Sequence, residues 1–251
     1  MAFAIFDIET RVDKHLLNQV FFADAQLSDE DAYLRFRGDL RERGSDFFPL
    51  TLHVPISIAV GYASEDRVLR AVDSLAIYDY SEERLVREFW ERRDHFQGCL
   101  VTFNGRGFDL PVLELSALRY GISVPYYFSD EESARSRRAP DRHLDLYDFL
   151  TNYGAASLRG GMNLLLKMIG LPGKTELNGA MVQDYFEAGR LDEIHRYCRA
   201  DVIQTYFLFL RVELLRGKID RAAFQAAYEA SAHFLDELAV ARTDGETTHQ
   251  R

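Results

Sequence analysis

The chain opens MAFAIFDIET, apolar through Phe6 and then alternating as Asp7, Ile8, Glu9. A short apolar run rich in aromatic and β-branched residues predicts a buried strand over residues 3–9. Runs of the same kind return at 50–62, 68–77 and 99–103. Between the first two lies a polar, helix-prone insertion, about 11–46. Ser81, followed by Glu82 and Glu83, predicts the N-cap of a helix through Phe89 and Trp90. A further helix follows Asp109, with Pro111 in its first turn. From about residue 144 the pattern is mostly helical. A helix at 162–169 is closed by Gly170 and Pro172. Residues 191–215 read as one long helix or two abutting ones, and 220–242 as an amphipathic helix. Residues 243–251 read as a frayed tail. Strands first, helices interleaved and then helices alone predict an α/β layered fold. We expect a single domain over 1–242.

Composition narrows this picture. With 251 residues, 47% of them hydrophobic, the chain can bury a full core. No run approaches the ~20 apolar residues of a membrane span. The start carries no basic, signal-like segment, so a cytoplasmic location is expected. Cys99 and Cys198 form no spaced pattern, which predicts reduced thiols and no thiolate metal site. The formal net charge of −10 argues against a basic nucleic-acid coat. It leaves room for an enzyme that touches phosphate locally. Residues 135–142 are locally basic and follow three acids at 130–132. They read as a solvated, mobile loop, with phosphate contact as the alternative.

Candidate chemistry begins with Asp7 and Glu9. Alternation along a strand puts both on one face, with Cβ atoms about 6–7 Å apart. Two such carboxylates either emerge hydrated at the strand end or share a divalent cation, a hard ion that takes oxygen ligands. A second acid, Asp109, stands where Val-Thr-Phe-Asn-Gly-Arg-Gly-Phe-Asp passes from strand to helix. Gly105 and Gly107 allow a sharp turn there, and Asp109 is either a helix N-cap or a functional acid. A third, Asp201, follows Tyr197 by four residues on one helix face. The apolar residues after it make that helix a buried one, and a buried Asp needs a partner or a metal.

Taken in order, Phe6-Asp-Ile-Glu-Thr10, Asn104-x-x-x-Phe108-Asp109 and Tyr197-x-x-x-Asp201 resemble the three motifs of the DEDD superfamily of 3′–5′ exonucleases. The details resemble the proofreading domain of family B DNA polymerases and its free-standing bacterial relatives, over most of residues 1–217. The histidine branch of that superfamily carries H-x-x-x-x-D. Position 196 is Arg, so the sequence resembles the tyrosine branch. His195 lies about 240° from Asp201 around the helix and reads as a surface histidine, whereas Tyr197 lies about 40° away.

The resemblance implies a ribonuclease H-like fold, a mixed central sheet flanked by helices. It also implies two-metal hydrolysis of single-stranded DNA, or RNA, from the 3′ end to nucleoside 5′-monophosphates. Asp7, Glu9, Asp109 and Asp201 would hold two Mg²⁺ or Mn²⁺ ions. Tyr197 would orient the attacking water, since a phenol of pKa ~10 is a poor base at neutral pH. Asn104, Phe108 and Thr10 would contact the terminal nucleotides. Core packing for Phe108 and a turn-capping role for Thr10 stay open. Lys174 reads as a solvated loop lysine, with phosphate binding as its alternative. His143, Asp145 and Asp148 read as structural, with Asp145 the strongest outside candidate for the site. The competing functional readings are a noncatalytic nucleic-acid-binding module and an interaction subunit of a repair complex.

Overall fold

The computed structural model describes residues 2–76, 80–96, 98–128, 134–137, 139–173 and 179–238. Lys174, the acids at 130–132 and the tail at 243–251 lie outside these residues.

Five strands form one mixed sheet: β1 (Phe3–Val12), β2 (His53–Ala63), β3 (Leu69–Ser74), β4 (Cys99–Thr102) and β5 (His143–Asp145). Their spatial order is β3-β2-β1-β4-β5. The first three pair antiparallel, while β4 and β5 run parallel to β1. β1 is therefore central. Its apolar residues alternate between two cores, as a strand covered on both faces requires.

Phe6 and Ile8 face α3 (Glu82–His95) and α4 (Asp109–Tyr120), packing with Phe89, Trp90 and Leu113. Phe3 and Ile5 face the other layer, formed by α9 (Leu191–Leu215) with α7 (Gly161–Met168) and α10 (Arg221–Ser231). Residues 191–215 thus form one continuous helix of 25 residues. The insertion is helical as expected. It holds α1 (Lys14–Phe21) and α2 (Asp29–Glu42), each with a polar N-cap, Asp13 and Ser28. Three short helices, α5 (Pro125–Phe128), α6 (Leu146–Leu150) and α8 (Gly179–Glu187), complete the set.

Several expectations need correction. β1 continues three residues beyond Glu9, because a bulge between Glu9 and Thr10 lets Thr10, Arg11 and Val12 pair with Pro55, Val54 and His53. Residues 50–52 form a 3₁₀ turn before β2 begins. β3 ends at Ser74, and 77–79 lie outside the described residues. The stretch from 144 is not purely helical, because His143–Asp145 adds the outer parallel strand. Three residues are too few to show a period. The final helix breaks at Ala232, with a second helical piece at 233–238.

Candidate active site

β1 carries Asp7 and Glu9 to the α9 side of the sheet, and α9 brings Asp201 against them. One carboxylate oxygen from each lies within 4.8 Å of the other two. Glu9 and Asp201 are buried, at 7% and 3% exposure, and Asp7 is half-buried. Such a set is unfavourable as three bare charges and favourable around a hard cation. It is the one metal-competent cluster of this kind among the described residues.

Asp109 comes from the opposite side. β4 pairs with β1 only through Phe3–Ile5, so beyond Ile5 this edge of β1 has no strand partner among the described residues. The Ile8 amide donates there to Asp109 Oδ1 at 3.2 Å. Asp109 is the first residue of α4 and Phe108 is its N-cap, so the simple N-cap reading of Asp109 does not hold. The loop before it is built tightly. Asn104 adopts φ +68. A Cβ on Gly105 would lie 2.5 Å from Thr102 Oγ1, and one on Gly107 would lie 2.6 Å from Asn104 Oδ1. Asn104 stands exposed at the loop tip, and Phe108 is half-buried beside it.

Tyr197 lies one turn before Asp201 on α9, packed with Ile56, Val182 and Ile194. His195 is buried, not on the surface. Its Nδ1 meets Ser57 Oγ at 2.8 Å, and burial lowers its pKa below the usual histidine value. The helix passes over β2 at this point, so both sides of its first turns are covered. Beneath Asp7, the Cys198 thiol donates to the Asp7 carbonyl at 3.3 Å. Burial, with the Asp7 and Glu9 charges, pushes that thiol well above its usual value.

Asp145 supports the site from outside it. The amides of Asn104 and Arg106 donate to its two oxygens, each at 2.9 Å, and those of Tyr147 and Asp148 donate to Oδ1. It holds the 104–106 turn in place and stands outside the carboxylate cluster. His143 is likewise structural. Its Nδ1–H donates to the Ala134 carbonyl, and its Nε2 accepts from the Thr102 hydroxyl at 2.8 Å. Asp148 takes Arg137 at 3.1 Å and Arg106 at 3.6 Å. Arg135 pairs with Glu114, and Arg106 donates to the carbonyls of Ala134 and Arg135. Arg135 and Arg137 thus each reach an acid on the body of the protein while their side chains stay 60% exposed.

Thr10, one residue past Glu9, hydrogen-bonds His53 Nδ1 at 2.8 Å. Two residues further, the Val12 amide donates to Gln183 of α8 at 2.7 Å. No sequence signal marked His53, Ser57 or Gln183, because each partner lies far along the chain.

A family model described as a predicted 3′–5′ exonuclease related to the exonuclease domain of PolB matches residues 45–248. The chain belongs to this family. The match begins after Asp7 and Glu9, which the structure brings against Asp201 inside the matched region. No curated protein matches the chain. Among solved structures, the family B DNA polymerase of the archaeon Pyrobaculum calidifontis is 15% identical with a TM-score of 0.53. That match covers 86% of this chain and 24% of the polymerase. A product-bound exonuclease I is 14% identical (TM-score 0.37), covering 87% of this chain and 48% of that one. Escherichia coli exonuclease I in complex with a 5cy-dT13 oligonucleotide is 13% identical (TM-score 0.38), covering 87% and 45%. The chain therefore spans a quarter to a half of the length of these solved proteins. The likeness to the polymerase is one of fold, and with the sheet order it places the chain among ribonuclease H-like α/β folds. No described helix is long and apolar enough to cross a membrane.

Proposed function

We propose that the chain is a metal-dependent exonuclease that removes nucleoside 5′-monophosphates from single-stranded 3′ ends of DNA, with RNA as the alternative substrate. The observation that carries this reading is the approach of Asp7, Glu9 and Asp201 to within 4.8 Å, from a strand and a helix nearly two hundred residues apart. All-oxygen donors suit Mg²⁺ or Mn²⁺ better than zinc. Asp7, Glu9 and Asp201 would hold one cation, and Asp109 would help hold a second. When bound, such cations lower the pKa of water and neutralise charge on the leaving oxygen.

The chain's own residues supply position. Tyr197 sits one turn from Asp201 on the same helix and orients the attacking water with its hydroxyl. The water oxygen forms a bond to the terminal phosphorus, and the bond from phosphorus to the preceding nucleotide's O3′ breaks. The attacking water gives up a proton to solvent, the departing O3′ takes one up from solvent, and the released nucleotide keeps its 5′-phosphate. Phe108 and Asn104, on the turn leading into α4, take the terminal bases; stacking on Phe108 is sequence-tolerant and suits a single strand. A cytoplasmic setting agrees with the two buried free thiols.

The test is degradation of a 5′-labelled single-stranded DNA, with matched RNA, in Mg²⁺ or Mn²⁺. Stepwise shortening from the 3′ end, abolished by EDTA and by Asp7→Ala, is expected. A wild-type protein that binds these strands and leaves them intact would instead be a noncatalytic binding module.

A further inference from the structure

The turn that carries Asn104 and Phe108 has a second loop packed against it. Arg106, within that turn, donates from Nη1 to the carbonyls of Ala134 and Arg135, at 3.0 and 2.9 Å, and from Nη2 to that of His143 at 2.8 Å. Residues 134–137 are thereby fixed beside the turn. Two arginines leave this loop, each toward an acid. Arg137 donates from Nε and Nη2 to the two oxygens of Asp148, at 3.1 and 3.2 Å. Arg135 donates from Nε to Glu114 of α4 at 3.1 Å. Glu114 stands five residues past Asp109, about 7.5 Å along the helix axis.

Both pairs point the same way. The carboxylates are the inner halves, with side chains 17% and 12% exposed, and the guanidiniums are the outer halves, each 60% exposed. A ligand arriving from solvent therefore meets the positive ends. Each pair also leaves donors over. Nη1 and Nη2 of Arg135 and Nη1 of Arg137 have no hydrogen-bond partner among the described residues. Guanidinium donors fit the oxygens of a phosphate. Against a net charge of −10 for the whole chain, attraction for phosphate has to be local, as it is here. Phe128, the last residue of α5, lies beside them. The Arg135 guanidinium sits 5.5 Å from the centre of its ring, and Phe128 is 52% exposed. Cations next to an open aromatic ring are the combination that holds a single strand, with phosphates on the cations and an unpaired base on the ring.

We infer that Arg137, Arg135 and Phe128 form a binding track for the single strand behind its 3′ end, with phosphates on the two arginines and a base stacked on Phe128. The track rests on the exonuclease reading above, which sets the 3′ end at the carboxylates and sends the 5′ part of the strand out over the 134–137 loop and α4.

The experiment follows one labelled oligodeoxythymidylate about ten nucleotides long, within the usual site size of a single-strand binder. Binding is read by fluorescence anisotropy in EDTA over a range of salt. Each phosphate contact on a single strand contributes about 0.7 to the slope of log affinity against log salt. Arg135→Gln and Arg137→Gln are each expected to lower the slope by about that amount, and the double variant by about 1.4. Arg135→Lys and Arg137→Lys, which keep the charge, are expected to retain it. Phe128→Ala is expected to lose about tenfold in affinity with the slope unchanged, and to lose nothing on a strand of abasic sites. In Mn²⁺ at low strand concentration, hydrolysis by each variant is expected to fall by the same factor as its affinity. Melting curves confirm that each variant is folded; Phe128→Ala, at an exposed position, decides the matter if a glutamine variant is not. Folded glutamine variants that keep the full slope, or weakened binding with undiminished hydrolysis, overturn the track and leave the exonuclease reading standing. A wild type that binds the strand and hydrolyses nothing overturns both.

Discussion

The Ile8 amide and Asp109 Oδ1 join across 3.2 Å, tying the first residue of α4 to the central strand one position from both Asp7 and Glu9. This bond makes Asp109 a structural acceptor as well as a candidate ligand, and the two roles separate by mutation. Asp109→Asn keeps an oxygen for the amide, so stability should change little while nuclease activity falls at least a hundredfold. Asp109→Ala leaves a buried amide unpaired and should lose about 1–3 kcal/mol in addition. Urea unfolding beside single-turnover kinetics tells them apart.

Cation binding should be visible without any substrate. Ligand that binds only the folded state stabilises it by about 2.7 kcal/mol at a hundred times its dissociation constant. Mn²⁺ should therefore raise the melting temperature of the wild type and fail to raise that of Asp201→Asn. In EDTA that rise should vanish.

The two loop glycines should respond differently to alanine. At Gly105 the new Cβ strikes Thr102, a fully buried β-branched residue, so Gly105→Ala should destabilise by about 1–3 kcal/mol. At Gly107 the obstacle is the end of the exposed Asn104 side chain. Gly107→Ala should cost little stability and weaken binding of single strands, which thermal melts and fluorescence anisotropy would show.

Stability should fall on mild acidification. His143 is fully enclosed and beside Arg106, and burial with that cation holds its pKa well below 6.5. His53 and His195 are lowered for the first of these reasons. The unfolded chain therefore binds more protons below pH 6.5, and stability present above that value is lost as pH drops through it. A histidine that is neutral in the folded chain and protonated in the unfolded one contributes a slope of at most about 1.4 kcal/mol per pH unit. His143→Asn should flatten the fall measured between pH 7 and 5.

Both thiols should be inert in the native protein. Burial pushes Cys99 up to about 12, and Cys198 is raised by burial and by the Asp7 and Glu9 charges. A thiol reagent at pH 8 should label neither until denaturant is added, and then both.

What the sequence determined by itself was the set of elements and the acids they carry. Alternation along β1 put Asp7 and Glu9 on one face, and a four-residue step put Tyr197 and Asp201 on one side of α9. These are local properties of the backbone, set by periods of two and 3.6 residues. The sequence did not show how far β1 runs, because its last residues pair only through a bulge opposite β2. Nor did it show β5, whose three residues are strand only because β4 lies beside them.

The tertiary structure alone decided partnerships. Periodicity gives a residue's face and says nothing about what meets that face. His195 lies on another side of α9 from Asp201, as its spacing required, yet that side is covered by Ser57, 138 residues earlier. Thr10 meets His53 across 43 residues, and Ile8 meets Asp109 across 101. Each is a short-range bond that forms only after the layers have packed, because hydrogen bonds act over about 3 Å and no local pattern encodes a distant donor or acceptor.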